Sequence, residues 1–197
     1  MSKGRLEAFS DGVIAILITI MVLELKIPRG SDVLALRSMV PVFLAYVLSF
    51  IILGIYWNNH HHMFHVTDRI NGRILWANLH LLFWLSLIPA VTAWVGETSS
   101  APIPTAVYGS VLLMAGVAYY ILTRSLVALL GPHSTLGVAV GKDVKGKISL
   151  VLYAGAIPLA FVNRWLADAI YVSVALMWLV PDRRIESKVN AADSRIA

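Results

Sequence analysis

The sequence predicts an all-α, polytopic membrane protein with six transmembrane helices and both termini in the cytoplasm. Three observations carry that prediction. Apolar residues make up 58% of the 197 positions and charged residues 14%, against about 45–50% and about 25% in ordinary soluble domains, and the mean hydropathy is +0.77. Apolar stretches follow one another at about the length that crosses the hydrocarbon core, each closed by proline, glycine or a polar cluster. The basic residues are unevenly shared between alternate loops. With the N-terminus inside, Lys3, Arg5, Arg69, Arg73, Arg124, Lys142, Lys145, Lys147, Arg183, Arg184, Lys188 and Arg195 fall on the cytoplasmic side. Only Lys26, Arg29, Arg37 and Arg164 fall outside, which accounts for all 16 Lys and Arg and follows the positive-inside rule.

The first predicted span covers 9–25 and stops before Pro28 and Gly30. Lys3 and Arg5 ahead of an apolar run look superficially like a secretory leader. Asp11 interrupts that junction, however, and Glu24, Lys26 and Pro28 stand where a small-residue cleavage site belongs, so the segment is read as a retained helix. The second span covers 37–58 and the third 74–95. Pro102 and Pro104 introduce the fourth, which reaches 130 and stops at Gly131-Pro132. The fifth and sixth, 147–162 and 165–180, are shorter and split at Asn163-Arg164, with a re-entrant hairpin as the alternative for this pair. Trp57 and Trp76 fall near inner ends and Trp94 and Trp165 near outer ends, as an aromatic belt requires. Residues 1–181 are thus expected to form one six-helix domain, and 182–197 a short hydrophilic cytoplasmic tail.

Several function classes find little support. The net charge of +5 is scattered over segment ends, so topology explains it better than a nucleic-acid partner does. With no cysteine, disulfides and thiolate metal sites are excluded. No G-x-S-x-G, H-E-x-x-H or glycine-rich phosphate loop occurs, and the chain is not expected to be an enzyme.

The informative segment is RLEAFSDGVIAILITIMVLELKIP, residues 5–28. A carboxylate at the mouth of a membrane helix is costly unless paired or wet, which makes Asp11 a functional-site candidate. At about 100° per residue, Ile16, Ile20 and Leu23 share one stripe, bordered by Thr19 and continued toward the cytoplasm by Gly12. Asp11 projects off that stripe, on the side of Ala15, Ile18 and Val22. Spacing alone leaves the stripe open between a pore wall and an ordinary lipid or packing contact. Arg5 lies outside i,i+4 reach of Asp11, so partners for Asp11 and Ser10 are expected among His60–His62, Asn78 or His80. A structural network is the leading role for Asp11, with a direct ion site or proton acceptor as the alternative. His60, His61, His62 and His65 suggest an inner-loop polar network or a pH-sensitive hinge. A zinc site, needing about four ligands or three plus water, is the alternative, with only Asp68 close in sequence. No resident metal or cofactor is assigned.

Arg5, Phe9, Ser10 and Asp11, spaced R-x-x-x-F-S-D, resemble the first-helix signature of the transmembrane-protein-175 family of potassium channels. Trp57, the histidine cluster, Asn78 and Pro89 fit the family more loosely. The resemblance implies a multi-pass channel in the lipid bilayer of the cell membrane that conducts monovalent cations passively, with potassium as the preferred permeant ion. This chain holds one copy of the signature, as do the prokaryotic members, which assemble as homotetramers; animal members carry two copies and assemble as dimers. It further implies a central pore lined by the first helices, with Ile16 as the narrowest ring, Ile20 and Leu23 as further rings, and Thr19 as the nearby hydroxyl. An apolar ring has no oxygens to replace an ion's hydration shell, and no T-V-G-Y-G filter is present. It blocks by dewetting when narrow and passes water and ions when slightly wider, with modest selectivity. The rival reading is a small-cation or proton-coupled secondary transporter. Such carriers show internal repeats and broken helices around a midplane site. Pro89 and Pro158 are candidate break points, but no internal repeat is visible.

Overall fold

A computed structural model describes residues 2–26, 28, 30, 32–141 and 143–179, and all the regular structure in these residues is α-helical. Helix α1 (Lys3–Leu23) begins upstream of the predicted span, its first turn carrying a Lys3–Glu7 ion pair at 3.9 Å. The short α2 (Val33–Ser38) is capped by Asp32, whose carboxylate accepts from the Ala35 N–H at 2.8 Å. Helix α3 (Val40–His65) tolerates Pro41 in its first turn, where no N–H is needed.

This helix runs well beyond the predicted end at residue 58. The expected inner loop around the histidines is therefore helix, because residues 58–65 contain no glycine or proline to stop it.

The third predicted span is a broken rod. Asn71 caps α4 (Gly72–Ser86) by accepting from the Ile74 N–H at 3.1 Å, and α5 (Ile88–Glu97) resumes after Leu87. Pro89 has no N–H to donate to the Leu85 carbonyl, which accounts for the interruption. Helix α6 (Pro102–Leu130) begins with two prolines and ends at Gly131, whose φ of +96° suits glycine. After α7 (Thr135–Val140), α8 (Val144–Val162) passes Pro158 without interruption. Asn163 then joins it to α9 (Arg164–Leu179). Five rods, α1, α3, α4–α5, α6 and α8, are long and apolar enough to cross a membrane. Helix α9 shows 16 residues; position 180 of the sixth predicted span and the predicted tail 182–197 lie outside the described residues.

Side-chain bonds fix the register of these rods. Lys3 Nζ reaches the His65 carbonyl at 3.4 Å, so α1 and α3 run antiparallel. Ser49 meets Tyr108 at 2.9 Å and Thr123 meets Met63 Sδ at 3.4 Å, so α3 and α6 run parallel. Trp178 Nε1 donates to Ser149 Oγ at 2.9 Å, turning α9 back along α8. The rods thus alternate in direction. Lys3, His65, Leu129 (through Arg69) and Trp178 gather at one end of the bundle, and α8 and α9 pair as antiparallel rods.

The core sits where α4–α5 and α6 face each other and their neighbours, with Leu81, Leu85, Ile88, Leu112 and Leu122 fully buried. Gly109 is indispensable there. A Cβ at this position would lie 2.1 Å from the Tyr171 hydroxyl, which donates to the Thr105 carbonyl at 3.1 Å. Gly109→Ala is expected to destabilise the bundle by about 1–3 kcal/mol through overpacking. The thermal midpoint in detergent checks this, and adding Tyr171→Phe should recover part of the loss. An unchanged midpoint for the single mutant would show that α9 moves freely away from α6.

Candidate ion pathway on the first helix

Helix α1 has two contrasting faces. Leu6, Ser10, Ile14, Leu17 and Met21 are buried against the rest of the chain. On the far side, Ile16 is 56% exposed, Ile20 39% and Leu23 80%, and Arg5 and Phe9 are exposed on the same side. A run of branched apolar side chains at helical spacing is therefore left largely uncovered by the described residues. Thr19 borders it, exposed, its hydroxyl donating to the Ile16 carbonyl at 2.9 Å. That bond spends the proton and leaves both lone pairs of the oxygen free to accept. On the remaining side, Ile18 packs against the core while Val22 stays half exposed.

The signature residues divide between these surroundings. Ser10 is fully buried and donates to the Leu6 carbonyl at 2.9 Å. It accepts from Asn78 Nδ2 at 2.9 Å, and Asn78 Oδ1 lies 2.8 Å from His60 Nε2. Because the amide oxygen can only accept, His60 Nε2 is the donor. This relay joins α1, α4 and α3 at the Lys3 end, with His60 and Asn78 also buried and the His60 ring packed 4.6 Å from Phe64.

Two of the partners expected from sequence, Asn78 and His60, are thus present, but they serve Ser10. Asp11 is partly buried and accepts from the Trp57 indole N–H at 3.0 Å instead. His80 is engaged within its own helix, accepting from Trp84 Nε1 at 3.0 Å.

Sequence reasoning had placed Trp57 in an interfacial belt. The clue to its pairing is that indole is a donor without an acceptor, level with a carboxylate on a neighbouring span. The other histidines form a ladder on α3. His61 stacks between Trp57 at 6.0 Å and His65 at 6.2 Å, with His62 at 5.7 Å. Among the described residues, no three or more His, Asp or Glu side chains are grouped to hold a metal ion.

Two further contacts were not foreseen. Ser49, Thr92 and Tyr108 form a buried hydroxyl cluster, with Thr92 Oγ1 2.7 Å from Ser49 Oγ. It joins α3, α5 and α6 in the half of the bundle away from Lys3. At the far end of α1, Lys26 pairs with Glu97 at the end of α5. The hydrogen bond to Glu97, and then its charge, hold the Lys26 ammonium above its usual pKa.

Residues 5–89, which contain the signature and the Ser10–Asn78–His60 relay, match the family model described as the endosomal/lysosomal potassium channel TMEM175. A protein named as a potassium channel of Chryseobacterium sp. (strain P1-3) is 52% identical over 190 residues, covering 96% of this chain and 99% of that one. Another, from Streptomyces collinus (strain DSM 40733 / Tue 365), is 32% identical over 203 residues, covering 98% of each. Among solved structures, the crystal structure of a lysosomal potassium-selective channel TMEM175 homolog from Chamaesiphon minutus aligns with a TM-score of 0.81 at 30% identity. That alignment covers 90% of this chain and 96% of the other. The chain belongs to the TMEM175 family, as a prokaryotic, multi-pass membrane member.

Proposed function

We propose that the chain is a potassium-preferring cation channel of the cell membrane, assembled as a homotetramer around a central pore lined by α1. The observation that carries this reading is the bare apolar stripe of Ile16, Ile20 and Leu23 opposite the buried face of the same helix. The full-length relatives that carry the name potassium channel support the choice of ion. Four copies of the stripe around an axis make three apolar rings, with Thr19 oxygens beside them. The rings gate by dewetting and impose only a partial dehydration on the ion, so selectivity is modest. Ser10 and Asp11 hold α1 in place through Asn78, His60 and Trp57. Conduction needs no reaction and no cofactor, and the Lys3 end faces the cytoplasm by the positive-inside rule.

The carrier reading draws on the broken α4–α5 rod. Leu85 and Ile88, on either side of that break, are wholly buried and apolar, and Ser86 beside it is exposed with its hydroxyl donating to the Phe83 carbonyl, which favours the channel.

Purified protein in planar bilayers under a potassium gradient tests the proposal. Currents should reverse toward the potassium equilibrium potential with no second ion gradient present. Transport that requires a coupled sodium or proton gradient would establish the carrier instead. Particle mass in lipid nanodiscs should correspond to four chains, and a monomer or dimer would exclude a single shared pore.

Asp11→Ala separates holding from conducting. Losing a charge-assisted hydrogen bond costs about 1.5–3 kcal/mol, so the assembled yield and thermal midpoint should fall while any residual channels keep their ion preference. Normal assembly with altered selectivity would make Asp11 a pore ligand.

A further inference from the structure

Away from α1, a cavity of about 50 Å³ lies where α3 faces α6, α8 and α9. Ile52, Leu150 and Ala175 give it apolar walls, and Tyr56 and Asn59 of α3 and Tyr153 of α8 line it as well. Tyr153 is buried and the other two are half-buried. Among the described residues, none of these three side chains has a hydrogen-bond partner in the protein, yet their polar atoms stay within reach of a water molecule. The other polar groups of the wall are engaged. Ser149 donates to the Lys145 carbonyl at 2.9 Å and accepts from Trp178 at 2.9 Å, and Tyr119 is paired with Thr123.

Depth gives the free groups their significance. Tyr153 lies about 13 Å along α8 from its start at Val144, where lipid tails offer no hydrogen bonds. A hydroxyl left unsatisfied there is costly, whereas a water molecule with two to four polar partners satisfies it. The volume suits that occupant: at about 10–15 Å³ for each water, the cavity has room for about three. Direct packing between α3 and α8 is sparse, since α3 rests chiefly on α5 and α8 on α6 and α9.

We propose that the cavity holds a small cluster of ordered water that bridges Tyr56 and Asn59 on α3 to Tyr153 on α8. The bridge stands in for side-chain packing between these two helices. It steadies α3, the helix that holds α1 through Trp57 and through His60 and Asn78. The site lies within one protomer and does not depend on which face of α1 lines the pore.

A density map of the purified protein in lipid nanodiscs, at a resolution that shows water, tests this directly. Separate peaks should stand at hydrogen-bonding distance from the Tyr56 and Tyr153 hydroxyls and the Asn59 amide. A featureless cavity, or one continuous rod of density such as an alkyl chain gives, would overturn the proposal. Radiolytic hydroxyl labelling read by mass spectrometry is an independent check, because bound water releases radicals beside the side chains it touches. Tyr153 should be labelled several-fold faster than Tyr108, which is also buried but whose hydroxyl is taken by Ser49 at 2.9 Å. Equal rates would overturn the proposal. Ala175→Val should narrow the cavity and bring the Tyr153 rate down toward that of Tyr108, and an assembled variant that labels like the parent would count against the water cluster just as decisively. Should Ala175→Val not assemble, the parent's map and labelling ratio decide.

Discussion

Ile16→Asn is expected to raise conductance several-fold and to weaken the discrimination between potassium and sodium. In the proposed tetramer the substitution would place four hydratable amides where four apolar side chains would otherwise expel water, so the dewetting barrier should fall and ions should pass with more of their hydration shell. The position tolerates the change because Ile16 is 56% exposed among the described residues, so little intrachain packing is lost. The same change at Ile18, which packs against the core, should leave permeation alone and lower the amount of assembled protein, since it buries an amide without partners. Single-channel recordings of both mutants, paired with gel-filtration yields, check the contrast. If Ile16→Asn conducts like the parent while Ile18→Asn alters permeation, the pore-facing stripe is misassigned.

Asn78→Ala is expected to be among the most damaging single substitutions in the chain. Asn78 bridges two buried groups, donating to Ser10 and accepting from His60. Truncation deprives both of that partner in a buried site: Ser10 keeps its bond to the Leu6 carbonyl, whereas His60 Nε2 loses its acceptor, and such an unsatisfied buried group costs about 1–3 kcal/mol. Because the relay joins α1 to α4 and α3, the loss should loosen α1, the proposed pore helix, and lower assembly as well as stability. The pairing makes a sharper forecast. Once Asn78 is alanine, adding His60→Phe should cost little or restore some stability, since replacing both partners by apolar groups is nearly neutral. Thermal midpoints of the two single mutants and the double mutant read the coupling. Additive losses would mean that the hydrogen bond between Asn78 and His60 contributes nothing.

The fold was readable because membrane helices announce their ends. Pro102, Gly131 and Asn163 stand at boundaries of the observed rods, as the sequence reading had them. Inner helix ends were less legible. Residues 58–65 are polar enough to suggest a loop, yet their helical hydrogen bonds continue because nothing interrupts the backbone. Pro89 and Pro158 looked alike in sequence, but only the first coincides with a break. In the candidate site, the stripe through Ile16 followed from helical periodicity, a local property, while its reading as a pore wall came from the family resemblance. Its exposure among the described residues is a packing fact that periodicity does not contain. The partners of Ser10 and Asp11 depend on how α3 and α4 rotate against α1, and no spacing rule sets that rotation. Hence Asn78 and His60 were named for Ser10 and Asp11 together but serve only Ser10, and Trp57, assigned to the membrane surface, is the partner of Asp11. The Ser49–Thr92–Tyr108 cluster was invisible for the same reason, as its members come from three separate helices.

The most direct measurement exploits the absence of cysteine from the sequence. Cysteine can be introduced singly along α1 and probed with a water-soluble cationic thiol reagent while current is recorded across a bilayer. A pore lined by the exposed stripe predicts rapid, irreversible block for Ile16→Cys, Ile20→Cys and Leu23→Cys. It predicts no effect for Leu17→Cys or Met21→Cys, on the buried face. Block that follows the buried face, or current unaffected by reagent at every stripe position, would contradict the claim that α1 forms the wall of the ion path.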